Sequence, residues 1–161
     1  MFRTVALALI LVLSGPNTAR AADSRPARYR PPVVARVIAG FRAPTTPYGP
    51  GHRGIDYDTS PGQPVVAIGN GVVTFAGVVA HQAYVTVAHP DGLRSTTSVA
   101  SVDVGFGQPV RSGQRLGSAG EICHLGVRRG QAYIDPALLF APRHAVLVPT
   151  RATSLSPSSP R

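Results

Sequence analysis

The sequence contains no lysine: all 16 of its cationic side chains are arginine, a compositional bias rather than a mechanism. It has a single cysteine, Cys123, and a single glutamate, Glu121. One cysteine excludes an internal disulfide and reads most simply as a small buried hydrophobe. No stretch keeps a clean helical period of apolar residues, which argues against a fold built on amphipathic helices. No apolar run approaches the roughly 20 residues needed to span a bilayer. The longest, residues 5–13, is far shorter.

What is abundant is punctuation. There are 17 glycines and 16 prolines, and only 14% of residues are charged. With β-branched residues dominating the apolar runs, this composition indicates short strands joined by tight turns. The N-terminus reads as a secretory signal: Arg3, the apolar run, a Gly-Pro break, then Ala19-Arg20-Ala21. Cleavage is expected near Ala21, giving an exported protein in the secreted or cell-envelope compartment.

The formal net charge of +9 suggests nucleic acid at first sight. Its placement argues otherwise. Between positions 49 and 140, Arg53, Arg94, Arg111, Arg115, Arg128 and Arg129 balance Asp56, Asp58, Asp91, Asp103, Glu121 and Asp135. The excess sits in the ends. Basic ends on a neutral body suit loose attraction to an anionic polymer, or plain solvation, better than base readout. No nucleic-acid partner is expected.

Four segments follow from this: a signal peptide at 1–21, a Pro/Arg-rich leader with a first strand at 22–40, one all-β domain at 41–140, and a disordered Ser/Pro-rich tail at 141–161. Within the domain, Gly69-Asn70-Gly71 predicts a hairpin turn. Pro90-Asp91-Gly92 predicts a second, and Gly130 a last hairpin before "QAYIDP". The loop "HQA" around His81 joins two more strands.

The stretch "GHRGIDYD" at 51–58 places His52 and Asp56 four apart on a glycine-rich bend. Glycines exclude a helix there. In a straight strand the two would stand roughly 13 Å apart, so sharing a metal requires a bend near Gly54. Alone, the pair fits ordinary turn chemistry as well as a metal clip.

The wider pattern extends it. His52, Gly54 and Asp56 are followed by Gly62-Gln63-Pro64-Val65-Val66-Ala67 and Gly71-Val72-Val73, then "YVTVAHPDG", "GQPVRSGQRLG" and "VRRGQAYIDPALLF". This ordered set resembles the lysostaphin-like, LytM-type zinc endopeptidases, metallopeptidase family twenty-three. The resemblance implies an all-β, duplicated-hybrid-motif-like sandwich or barrel of short antiparallel strands. It implies Zn2+ held by His52, Asp56 and His124, a zinc-bound water as nucleophile, and peptidoglycan cross-links as substrate. Two imidazoles and one carboxylate leave a fourth position open, the form of a catalytic zinc site. Cys123 is a rival ligand, but strand alternation turns it to the opposite face from His124.

The pattern also departs from that family. Ile122 stands where a catalytic histidine is expected, and Thr97 and Val99 fall near the places of a Tyr-x-His. Only six residues separate Gly117 from His124, a short groove loop. The remaining acid–base candidates are Glu121 and His81, each also readable as merely solvated; His89 reads as structural. Two functions follow: a secreted zinc peptidase acting on wall peptides, or an impaired zinc-binding wall module that binds peptidoglycan or regulates another hydrolase. A structural β-domain with a chance metal pattern is the third alternative.

Overall fold

Period-2 alternation in the apolar runs becomes a series of short strands. The structure, a computed structural model, describes residues 29–46 and 49–140. These run β1 (Arg36–Ala39), β2 (Ile55–Asp58), β3 (Pro64–Val66), β4 (Gly71–Val79), β5 (Gln82–Ala88), β6 (Leu93–Val99), β7 (Ser101–Val102), β8 (Pro109–Val110), β9 (Arg115–Ser118), β10 (Ile122–Arg129), β11 (Ala132–Ile134) and α1 (Ala137–Phe140). The expected signal peptide and tail lie outside the described residues.

The strands form two antiparallel sheets. The larger runs β1-β2-β10-β6-β5-β4-β8, with β11 beside β10; the smaller runs β3-β9-β7. The all-β architecture expected from the pattern is what the chain adopts, with α1 as a single turn capped by Asp135, whose Oδ1 accepts the Ala137 N–H at 2.9 Å. One edge of β10 carries β2 along Ile122–Leu125 and β11 along Val127–Arg129, while its other edge pairs with β6. β10 is therefore the axis on which everything else is registered.

The core lies between the sheets. Val65 and Leu116 of the small sheet meet Val73, Val85, Val87, Val99, Leu125 and Val127 of the large one. Each such fully buried side chain contributes about 1.5–3 kcal/mol. On β10 alternation buries Cys123, Leu125 and Val127 and turns Ile122, His124 and Arg128 outward. On β2 it buries Ile55 and Tyr57 and leaves Asp56 and Asp58 on that same outer face. The segment before position 41 is part of this framework. Pro32 and Val33 are buried, the Pro32 carbonyl accepts the Val66 N–H, and β1 extends the large sheet beside β2.

Two turns differ from expectation in an informative way. Gly69-Asn70-Gly71 is not a hairpin. β3 pairs with β9, β4 pairs with β5 and β8, and the glycine-rich turn carries the chain from one sheet to the other. Neither Asn70 nor Gly71 has the positive φ that a type I′ turn requires. Asn70 instead ties loops together: its carbonyl accepts from His89 Nδ1 at 2.8 Å and its Oδ1 accepts the Ser112 N–H at 2.8 Å.

The type I′ conformation is found at Ala80-His81, with φ of 47° and 69°, closing β4 onto β5 at the Val79–Gln82 pair. Non-glycine residues are strained there. Ala80→Asn combined with His81→Gly is expected to raise unfolding stability by about 1 kcal/mol, read from the denaturant midpoint at constant m-value. Zinc content is expected to be unchanged.

Candidate metal centre

His52 is fixed from its backbone outward. Its N–H and C=O exchange hydrogen bonds with Arg42 at 2.8 and 2.9 Å, and its Nδ1 lies 2.7 Å from the Gly40 carbonyl. The chain bends at Gly54 and enters β2, bringing Asp56 round to face His52. Across the ladder, Asp56 is the direct partner of His124 on β10. The His124 N–H donates to Ser98 Oγ at 2.7 Å, where β6 runs alongside.

These elements converge on one oxygen. Asp56 Oδ1 lies 3.2 Å from His52 Nε2 and 2.6 Å from His124 Nδ1. The two imidazole rings meet edge to face, centroids 5.2 Å apart. All three donor atoms lie within 4.8 Å of one another, and all three side chains are partly exposed. With bonds of roughly 2.0–2.1 Å, neighbouring donors of a tetrahedral zinc stand about 3.3 Å apart; the His52–Asp56 spacing matches this, and the 2.6 Å His124–Asp56 hydrogen bond would open to admit the ion.

The hydrogen bonds support the same fit. A carbonyl only accepts, so the bond to Gly40 places a proton on His52 Nδ1. In the neutral ring this leaves a lone pair on Nε2, aimed at a carboxylate oxygen that is also an acceptor. Two acceptors at 3.2 Å need a cation between them. A second proton or a metal ion meets that need, and a carbonyl fixing the far nitrogen is the usual support of a ligating histidine.

Gly54 is required for this packing. A Cβ there would stand 2.7 Å from the Cε1 and Nε2 atoms of the His124 ring and press on the Leu125 carbonyl. Gly54→Ala is expected to displace the ring and weaken zinc binding by about 10–100-fold, the scale of losses when ligand support is removed. Competition with a chromophoric chelator measures this.

The other candidates do not join the cluster. Cys123 is fully buried on the opposite face, its Sγ donating to the Ser98 carbonyl at 3.5 Å; burial, with Asp56 nearby, pushes its thiol up to about 12. Glu121 is exposed before β10, with its carbonyl accepting the Thr59 N–H. His81 sits in the β4–β5 turn. Among the described residues, neither belongs to a group spaced to hold a metal. His89 is buried: Nδ1 donates to Asn70, Nε2 accepts from Ser95 Oγ at 2.9 Å, and burial lowers its pKa.

Thr97 and Val99 are both 1% exposed and point into the core, so neither borders the cluster. Ile122 does stand on its face, 55% exposed and two residues from His124. Gly40 and Ser98, which hold the two histidines, were not singled out by sequence: each acts through a contact that depends on strand register.

An all-β scaffold that brings one loop histidine onto an aspartate and a histidine of a sheet face has the donor set of a metallopeptidase-like protein. The profile of peptidase family M23 matches residues 50–136, and the chain belongs to that family. Among curated proteins it is 38% identical over 146 residues to the uncharacterized protein Rv2891 of Mycobacterium tuberculosis, covering 81% of this chain and 57% of that protein. The uncharacterized protein Mb2915 of Mycobacterium bovis matches to the same extent. The chain thus spans little more than half the length of these relatives.

Among solved structures, Csd3 of Helicobacter pylori superposes with a TM-score of 0.62 at 25% identity, over 71% of this chain and 35% of that one. The catalytic domain of lysostaphin from Staphylococcus simulans gives 0.57 at 22% identity, over 66% and 92%. A zinc-containing peptidase from Vibrio cholerae gives 0.58 at 23%, over 73% and 40%. The last two establish a shared fold.

Proposed function

We propose that the protein is an exported zinc-dependent hydrolase that acts on the peptide cross-links of peptidoglycan. The observation that carries this reading is the convergence of His52 Nε2 and His124 Nδ1 on Asp56 Oδ1, in a chain of peptidase family M23. His52, Asp56 and His124 would hold the ion. A zinc ion with three protein ligands supplies an acidified water and a Lewis acid for a peptide carbonyl.

The chain's own residues position that chemistry. Gly40 orients the His52 imidazole, Ser98 fixes the His124 backbone, and Gly54 lets the His124 ring pack against the bend. On the Ile122 side of the ligands the sheet face is exposed, which would admit a peptide there. An N-terminal signal cleaved near Ala21 would deliver the protein to the envelope; among the described residues, no helix is long and apolar enough to cross a membrane.

The second reading, a zinc-binding wall module without efficient turnover, draws support from Ile122. A general acid–base group contributes about 10²–10⁴-fold, and an isoleucine can neither donate nor accept the proton. Muropeptide release from purified sacculi, compared between the zinc-loaded protein and the same protein after chelation, decides between the readings. Zinc-dependent release supports the hydrolase; zinc binding without release supports the module.

A further inference from the structure

On the same open face as the cluster, β10 and β6 set two arginines directly opposite each other: Arg128 is the cross-strand partner of Arg94. Directly opposed like charges are destabilising, and an ordinary sheet surface places an acid in such a position. Here none answers them. Among the described residues, neither Arg94 nor Arg128 takes part in an ion pair. The carboxylates of the adjoining turns are engaged elsewhere. Asp91 Oδ1 accepts from Tyr29 Oη and the Leu93 N–H, and Asp135 Oδ1 accepts the Ala137 N–H.

The pair shares β10 with the metal cluster. Arg128 is opposed on its other side by Tyr133 of β11. Gly126 lies between: a Cβ there would stand 3.3 Å from the Arg53 carbonyl oxygen, 3.6 Å from His124 Nε2 and 4.0 Å from Tyr133 Cε1. Gly126 is buried, so the Arg53 backbone and the Tyr133 ring cover the strand between His124 and Arg128, and the arginine pair lies just beyond them on the same sheet face. The Arg53 guanidinium lies over that ring, 5.9 Å from its centroid, adding positive potential at the same end.

The geometry points to an anion subsite in which Arg94 and Arg128 together take a carboxylate of the bound peptide. Guanidinium groups match carboxylates with paired hydrogen bonds, which suits them to this role better than any other cation. Arg128 lies four positions along β10 from His124, a span of roughly 13 Å. The carboxylate would therefore sit about four extended residues from the bond placed over His52, Asp56 and His124. The inference rests on the peptide-hydrolase reading for the identity of the ligand, but not for the existence of the charged pair.

The test uses the zinc-loaded full chain and two labelled short peptides. They differ only in a glutamate or a glutamine about four residues from the central bond. Fluorescence anisotropy reads binding, and product analysis reads cleavage separately. The glutamate peptide is expected to bind about tenfold more tightly, and the preference is expected to vanish in Arg94→Gln/Arg128→Gln. Melting temperature and zinc content report that this variant is folded; removing opposed charges is expected to leave the melting temperature equal or higher. Single Arg94→Gln and Arg128→Gln variants are each expected to keep part of the preference. Equal binding of the two peptides by the natural chain overturns the subsite, as does a preference that survives the double substitution. Preference without cleavage keeps the subsite and removes the hydrolase reading; cleavage without preference does the reverse.

Discussion

His124→Ala is expected to strip the zinc from the protein and abolish release of peptides from purified sacculi, while leaving the fold intact. His124 is partly exposed, and its side chain packs on Gly54 and Asp56 rather than in the core. Its removal opens no internal cavity, so the melting temperature of the metal-free proteins should nearly coincide. The loss in zinc affinity should exceed the roughly 10–100-fold that follows when only the support of a ligand is removed. The same outcome is expected for His52→Ala. For Asp56→Ala the affinity loss should be at least as large, because its Oδ1 is the atom on which both imidazoles converge. Metal analysis after dialysis checks the first effect, and muropeptide chromatography checks the second. A variant that loses zinc and keeps full release would separate the cluster from the activity.

The second large effect is a gain. Ile122→His is expected to raise the rate of peptide release by about 10²-fold, the lower end of what a positioned acid–base group contributes. The substitution has room. Ile122 is 55% exposed, stands on the same face as His124, and pairs across the ladder with Asp58. An imidazole there would project beside the cluster without entering the core, and replacing an exposed isoleucine costs little in stability. Zinc content is expected to be unchanged, which distinguishes gained chemistry from gained metal. A histidine that adds nothing to the rate would mean that turnover is limited elsewhere, for instance by the three-residue connection between β9 and β10.

Much of the fold was legible because alternation on β2 and β10 is local. On β10, Cys123 against Ile122 and His124 assigns two faces from sequence alone, and the structure places them so; on β2, Tyr57 lies in the core rather than beside the metal motif. The turn at Gly92 and the hairpin at Gly130 were legible for the same reason: each glycine has a positive φ that its sequence context predicts. Gly69-Asn70-Gly71 misled because its composition suits a turn that the sheet-to-sheet crossing does not need. Ala80-His81 hid a type I′ turn behind residues that ordinarily avoid it.

The surroundings of the cluster were hidden for a different reason. Ser98 reaching His124 and Arg94 meeting Arg128 depend on pairing between strands distant in sequence, and Gly40 reaching His52 depends on an isolated bridge between two loop segments. Residue spacing carries no record of such register. Thr97 and Val99 illustrate the cost: one position along β6 decides between the core and the open face, and both fall to the core.

Zinc K-edge absorption spectroscopy on the purified, dialysed full chain, with metal analysis of the same sample, tests the central claim most directly. The account predicts one zinc per chain, bound only by nitrogen and oxygen at roughly 2.0–2.2 Å. Folded protein that holds no zinc after zinc-replete preparation would contradict it, and so would a sulfur ligand at about 2.3 Å, which only the buried Cys123 could supply.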